Sequence, residues 1–195
     1  MLAQQKGIKI PAKDDYFTST TYDTYENAIS EVQKYVTENY NGNEFAGLIE
    51  VNKDGKHFFK IKEGEAHDTD WGYALMDSTD EINYVKCDFH SHPSHKQSLE
   101  NKIFENLPNA TNLKITKECA NKDIEGEEWC GFIYTATFDI NNDGSCNTAW
   151  DGSLISQNDI INSTYHPEIP SLIFSPDIDE YCIILNGQIL NPIRK

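Results

Sequence analysis

At 195 residues, 38% hydrophobic and 11% aromatic, the chain has the make-up of a globular protein that buries one substantial core in one domain. Its 32 acidic residues against 16 basic ones give a formal charge of -16, which repels phosphate backbones and anionic lipid headgroups and so argues against nucleic acid and membrane surfaces as partners. Cations and basic surfaces are the complementary partners.

No run approaches the ~20 apolar residues of a membrane span, and "MLAQQKGIKIPAKDD" lacks the apolar core of a signal peptide. A soluble protein is expected, cytoplasmic or exported by a route whose signal is not visible in these residues. Residues 1–20 have little periodicity and predict an extended N-terminal arm, with a single domain over 21–195. Tyr25, Ala28, Ile29, Val32, Tyr35 and Val36 recur at helical spacing, with Asp23 or Thr24 as the cap and Asn41-Gly42 as the stop. "FAGLIEVN" and "HFFKIKEG", joined by "KDG", read as a β-hairpin. Residues 64–81, with Trp71 and Tyr73, form a polar connection of no clear pattern. "INYVKCDFH" predicts a third strand, and residues 95–107 a helix. "WCGFIYTATFDI" reads as a strand, "SQNDIINSTY" as a short helix, and "PSLIFSP" with "EYCIILNGQIL" as a terminal strand pair.

Chemistry concentrates at the end of the third strand, in "FHSHPS". Alternate residues of a strand share a face, so His90 and His92 can converge on one point while Ser91 turns away. Two neutral imidazoles with a nearby carboxylate make a zinc site of three protein ligands with the fourth position open. Pro93 stops the ladder and opens a loop where substrate can enter. Such a site also needs a carboxylate that moves the proton of the attacking water to the leaving group. Upstream, Glu44 stands between a helix stop and the mouth of a strand. Downstream, Ser156 and Asp159 are spaced by three and share one face of a short helix.

A glutamate before a glycine-containing strand, then H-[ST]-H-P, then S-x-x-D, resembles the JAMM motif of JAB/MPN-type zinc metalloproteases. The resemblance spans roughly residues 24–93 and 150–190, and looks closest to the divergent bacterial JAB-like domains of toxin and effector proteins. It implies an α/β fold, with a central mixed and curved sheet flanked by helices. It implies zinc bound by His90, His92 and Asp159, Glu44 as general acid/base, and Ser156 as a stabiliser of the oxyanion. It further implies hydrolysis of a peptide or isopeptide bond in a protein or peptide substrate, and, for an effector, a cognate inhibitor or immunity protein as partner.

The departure from the motif is spacing. His92 and Ser156 stand 64 residues apart, where compact members of the family place the serine soon after the histidine. Residues 94–150 are therefore expected to be an insertion that covers or flanks the cleft. The alternative register, Ser98 with Asn101, offers a neutral amide for the carboxylate and has no strand like "PSLIFSP" after it. Within the insertion, Asp139, Asn141, Asp143 and Ser145 alternate like the start of a calcium loop. Trp150 holds the place of that loop's final glutamate, and a tight turn at 142–144 is the preferred reading.

Five cysteines show neither a CxxC pair nor an even count. Cys119, Cys130 and Cys146 lie in one polar region and can hold a disulfide, whereas Cys87 and Cys182 sit in apolar runs and read as buried thiols. His95 reads as a solvated loop residue, Trp71, Trp129 and Trp150 as packing residues, and Glu50, Glu63 and Glu65 as solvated side chains without a role. Two other function classes compete with the enzyme: a catalytically silent MPN-like scaffold and a calcium-stabilised extracellular binding module.

Overall fold

The computed structural model describes residues 15–64, 83–124, 127–140, 145–153, 155–177 and 181–191. It is a mixed α/β structure. Strand β1 (Phe17–Thr18) is followed by helix α1 (Tyr25–Asn39), the hairpin β2 (Phe45–Val51) and β3 (His57–Glu63), and β4 (Tyr84–Ser91). Helix α2 (His95–Asn106) leads into β5 (Ala110–Ile124), β6 (Glu127–Ile140) and β7 (Ser145–Ser153). Helix α3 (Gln157–Ser163), β8 (Ser171–Phe174), β9 (Cys182–Leu185) and β10 (Gln188–Asn191) complete the order.

Seven strands form one sheet in the order β1-β3-β2-β4-β8-β9-β10, while β5-β6-β7 form a separate antiparallel sheet. In the large sheet only β4 and β8 pair in parallel, Asp88 opposite Ser171 through Ser91 opposite Phe174. Parallel neighbours need a crossover, and this one carries α2, the whole inserted sheet and α3.

The pleat sends alternate residues of the large sheet to opposite faces. Phe45 and Ile49 of β2, Phe59 and Ile61 of β3, Cys87 and Phe89 of β4, and Leu172 and Phe174 of β8 pack on one side, under Ala28, Ile29, Val32 and Val36 of α1. The helix follows the expected stripe, with Thr24 Oγ1 accepting from the Asn27 N–H at its start. Gly47 is required on this face: a Cβ there would collide with the Lys60 carbonyl and lie 2.6 Å from the Phe89 ring. On the other side Ile173, Cys182 and Ile184 lie under Leu99 and Ile103 of α2 and Tyr134, Ala136 and Phe138 of β6. At ~1.5–3 kcal/mol for each large apolar side chain buried, both layers matter to stability.

The inserted segment, expected as a cover or flank to the cleft, also contributes Tyr134, Ala136 and Phe138 to the core. "WCGFIYTATFDI" is indeed strand, yet it belongs to the second sheet, and the strands β5 and β7 on either side of it were not anticipated. The N-terminal arm contributes Phe17–Thr18 as a sheet edge on β3. The terminal hairpin turns at Asn186-Gly187, both with positive φ, as the two-residue "NG" turn demands. No helix of the described residues is long and apolar enough to cross a membrane.

Several expected features lie outside the described residues, among them Trp71, Tyr73, His67, Glu65, Asn141 and Asp143, and the side chains of Cys119, Cys130, Trp129 and Trp150. Cys146 is an exposed free thiol, and Cys87 and Cys182 are buried free thiols. Burial pushes the Cys87 thiol up to about 12, so it is inert at neutral pH.

Candidate metal centre

His90 leaves the last turn of the pleat in β4, opposite Ala46 of β2 and Ile173 of β8. His92 stands just beyond the strand, where its N–H donates to the Phe174 carbonyl at 2.9 Å. Asp159 comes from the first turn of α3. There Ser156 Oγ accepts from the Asp159 N–H at 3.2 Å, and Asp159 Oδ2 accepts from the Ser156 N–H at 2.7 Å. The S-x-x-D spacing is thus a capping box with aspartate as its acidic member, which fixes the carboxylate before any ion arrives.

These three side chains converge. His90 Nε2 lies 3.2 Å from His92 Nε2 and 3.0 Å from Asp159 Oδ1, and His92 Nε2 lies 3.2 Å from Asp159 Oδ2. Three ligands at ~2.0–2.1 Å around a tetrahedral ion stand roughly 3.3 Å apart, so the observed spacing fits one ion. All three ligand atoms lie within 4.8 Å of one another, and the group could hold a metal ion. The nearer register is not brought in: Asn101 is exposed on α2, and Ser98 Oγ donates to the Ser94 carbonyl.

The electrostatics favour positive charge at this point. Burial opposes protonation of His90, but the Asp159 charge and hydrogen bond, with Asp88 and Glu44 behind them, outweigh it and raise its pKa. Burial would raise Asp159, yet the imidazoles beside it hold its carboxyl well below the usual carboxylate range. Asp88, on the same face two residues before His90, is pushed up to about 6 by burial, against a hydrogen bond from Ser171. A divalent cation would supply the charge these groups call for, and binding it would displace the protons that otherwise do so.

Glu44, 7% exposed, stands at the entrance of β2 and acts on the charge of His90 from there. Its carbonyl accepts from the Gly64 N–H at 2.8 Å. Two residues given no role by sequence reasoning hold this entrance. Ser91 is fully buried, and its Oγ accepts from the Phe45 N–H at 2.8 Å, tying β4 to β2 beside Glu44. Glu63 Oε1 accepts from Asn41 Nδ2 at 2.7 Å and Asn43 Nδ2 at 2.6 Å, pinning the turn that precedes Glu44. The signal for Ser91 was its place between the histidines: alternation that turns it from the metal turns it into the strand seam. Glu63 carried no signal, because its partners lie across the hairpin.

Glu50 also departs from expectation. It is fully buried on the His90 face and pairs with Lys60 Nζ at 2.9 Å. His95 is the first residue of α2, with its ring packed edge-on against Tyr134 at 6.0 Å between centroids, and burial lowers its pKa. In the second candidate site, Asp139 and Ser145 are paired opposite each other across β6 and β7, and Asp139 Oδ2 accepts from Asn112 Nδ2 at 2.8 Å. Comparison with known proteins returned no matching family model, no matching curated protein and no matching solved structure.

Proposed function

We propose that the chain is a zinc-dependent hydrolase that cleaves amide bonds, peptide or isopeptide, in a protein substrate. The observation that carries this reading is the arrival of Asp159, 69 residues from His90 in sequence, at 3.0–3.2 Å from both imidazoles with a buried glutamate close by. A catalytically silent scaffold has no physical need for such convergence. His90, His92 and Asp159 would hold the zinc ion, which would supply Lewis-acid chemistry towards the scissile carbonyl and the attacking water.

Glu44 takes the proton from the attacking water and returns it to the leaving amine; its burial at the strand mouth beside His90 supports this role. Ser156 Oγ accepts from Asp159 and keeps its hydroxyl proton to donate to the oxyanion of the substrate. Asp159 fixes the imidazole pair. A protein substrate is the partner this reading requires, and an effector role adds a cognate inhibitor protein.

The test is Glu44→Gln. Zinc measured by elemental analysis stays at about one equivalent, while turnover of a quenched fluorescent peptide library falls by a factor on the order of 10² to 10⁴. Loss of zinc in this variant would make Glu44 a ligand, and undiminished turnover would remove it from the mechanism.

A further inference from the structure

His92 differs from its two fellow ligands in what aims it. His90 is held by the pleat of β4 and Asp159 by a capping box; His92, one residue past the strand, is held on one side by its N–H on the Phe174 carbonyl and on the other by the segment Pro93-Ser94. That segment is tied down through residues far away in sequence. The Ser94 N–H donates to Tyr40 Oη at 2.7 Å, and Ser94 Oγ, itself the cap of α2, donates to Asp177 Oδ1 at 2.6 Å. Asp177 Oδ2 accepts from the Lys96 N–H at 3.2 Å and from Tyr134 Oη at 3.3 Å. Lys117 Nζ donates to the Asp177 carbonyl, and the Tyr134 ring packs on His95. Two strands of the inserted sheet therefore grip the residue that grips the histidine loop.

We infer that Asp177 and Tyr134 are positioning residues of the metal centre, through which the inserted sheet fixes His92 by way of Ser94 and α2. This rests on the metal-centre reading above. The carboxylate suits the task because three donors approach it and both its oxygens accept. An amide at 177 keeps one acceptor; where its N–H₂ replaces Oδ2 it meets the Lys96 N–H, which has no lone pair to offer, while the Tyr134 hydroxyl must turn round to accept. Removing the Tyr134 hydroxyl leaves the ring on His95 but cuts its bond to Asp177. Asp177 acts on His92 through Ser94, two residues along the chain, and Tyr134 acts through Asp177, so both tune ligand direction from behind the direct partners of the ligands.

The experiment is zinc affinity, by competition with a chromophoric chelator, on the full chain and on Asp177→Asn, Tyr134→Phe, the double variant and Phe138→Leu. Visible absorption of the cobalt-substituted proteins and melting of the metal-free ones are recorded alongside. Phe138 lies on the same strand and in the same core as Tyr134 but makes none of these bonds, so it reports purely structural loss.

Asp177→Asn and Tyr134→Phe are expected to weaken zinc by about 3- to 30-fold, the range of remote coupling, and to change the cobalt band. The double variant is expected to be no weaker than the weaker single one, because both break one chain of contacts. Phe138→Leu is expected to melt earlier with affinity and spectrum unchanged. Affinity within twofold of the parent in both single variants, whatever their melting temperatures, overturns the inference and leaves the metal centre standing. A parent chain that takes up no zinc overturns both.

Discussion

The two sheets use the same secondary structure in opposite ways. In the seven-stranded sheet, β2 is buried along its whole length and β8 likewise, and the strands are short. The inserted sheet has strands of 15, 14 and 9 residues, and among its described side chains Ala110, Tyr134, Ala136 and Phe138 enter the core, with Leu113, Ile115 and Ile140 packed against them. The first is held by what it buries on both faces, the second by long ladders and these apolar contacts. The three candidate ligands bracket the inserted sheet along the chain, with His90 and His92 entering the crossover and Asp159 leaving it. The lesson is that an insertion can be long, polar and late in a motif and still be a working layer of the core.

The sharpest way to break this comparison is to remove the inserted layer. Replacing residues 94–150 with a short Gly/Ser linker uncovers Ile173 and Ile184, both fully buried, and is expected to give a chain without cooperative melting by circular dichroism. A soluble, two-state product would return the insertion to the status of a lid. In miniature, Phe138→Ala is expected to cost ~3–5 kcal/mol in chemical denaturation, a large part of the ~5–15 kcal/mol of an ordinary domain.

Next in size is the choice between the two registers. Asp159→Asn is expected to abolish stoichiometric zinc, since the amide brings no charge and disturbs the capping box, whereas Asn101→Ala on exposed α2 keeps it. Metal retained in the first and lost in the second would reverse the assignment.

A smaller effect separates the polar from the apolar part of the large sheet's inner face. Asp88 holds its proton up to about 6 when folded, against an ordinary value of 3.8. The native state therefore binds more protons than the unfolded chain between these values, and stability is full below them and lost as pH rises through about 6. In metal-stripped protein, Asp88→Asn should be more stable than the parent at pH 8, by about 3 kcal/mol, and equally stable at pH 3.5. A gain that is the same at both pH values would mean packing, not ionisation. The smallest effect belongs to Ser91→Ala, which leaves the buried Phe45 N–H without its acceptor and should cost about 1–2 kcal/mol with zinc still bound.

What could be read from the sequence follows the same divide. The stripe of α1 and the β2–β3 hairpin with its "KDG" are local patterns, and the structure has them where spacing put them, whereas "EYCIILNGQIL", read as one strand, turns at Asn186-Gly187 into β9 and β10. Strand alternation pointed His90 and His92 to one face, and the resemblance of S-x-x-D to a known motif pointed to Asp159; the structure groups the three. The inserted sheet was not legible. "ATNLKITKECANKDI" alternates too weakly to announce a strand, and only pairing with β6 along its length makes it one. Glu50 shows the converse failure: an acidic residue in an apolar run reads as solvent-facing until the Lys60 ammonium across the hairpin is seen beside it.

The crossover between β4 and β8 has a kinetic consequence. The donor atoms of the centre are distributed around a closed circuit of chain, His90 at one end and Asp159 at the other, 69 residues apart. Closing such a circuit costs entropy that no local contact repays, which makes this the high-contact-order step of folding. An ion that needs both ends cannot be captured tightly until that circuit is shut, and once captured it cross-links the ends much as a disulfide would. Metal uptake should therefore lag behind the appearance of secondary structure during refolding, and the ion becomes a clasp on the finished topology, slowing the reopening of the long way round.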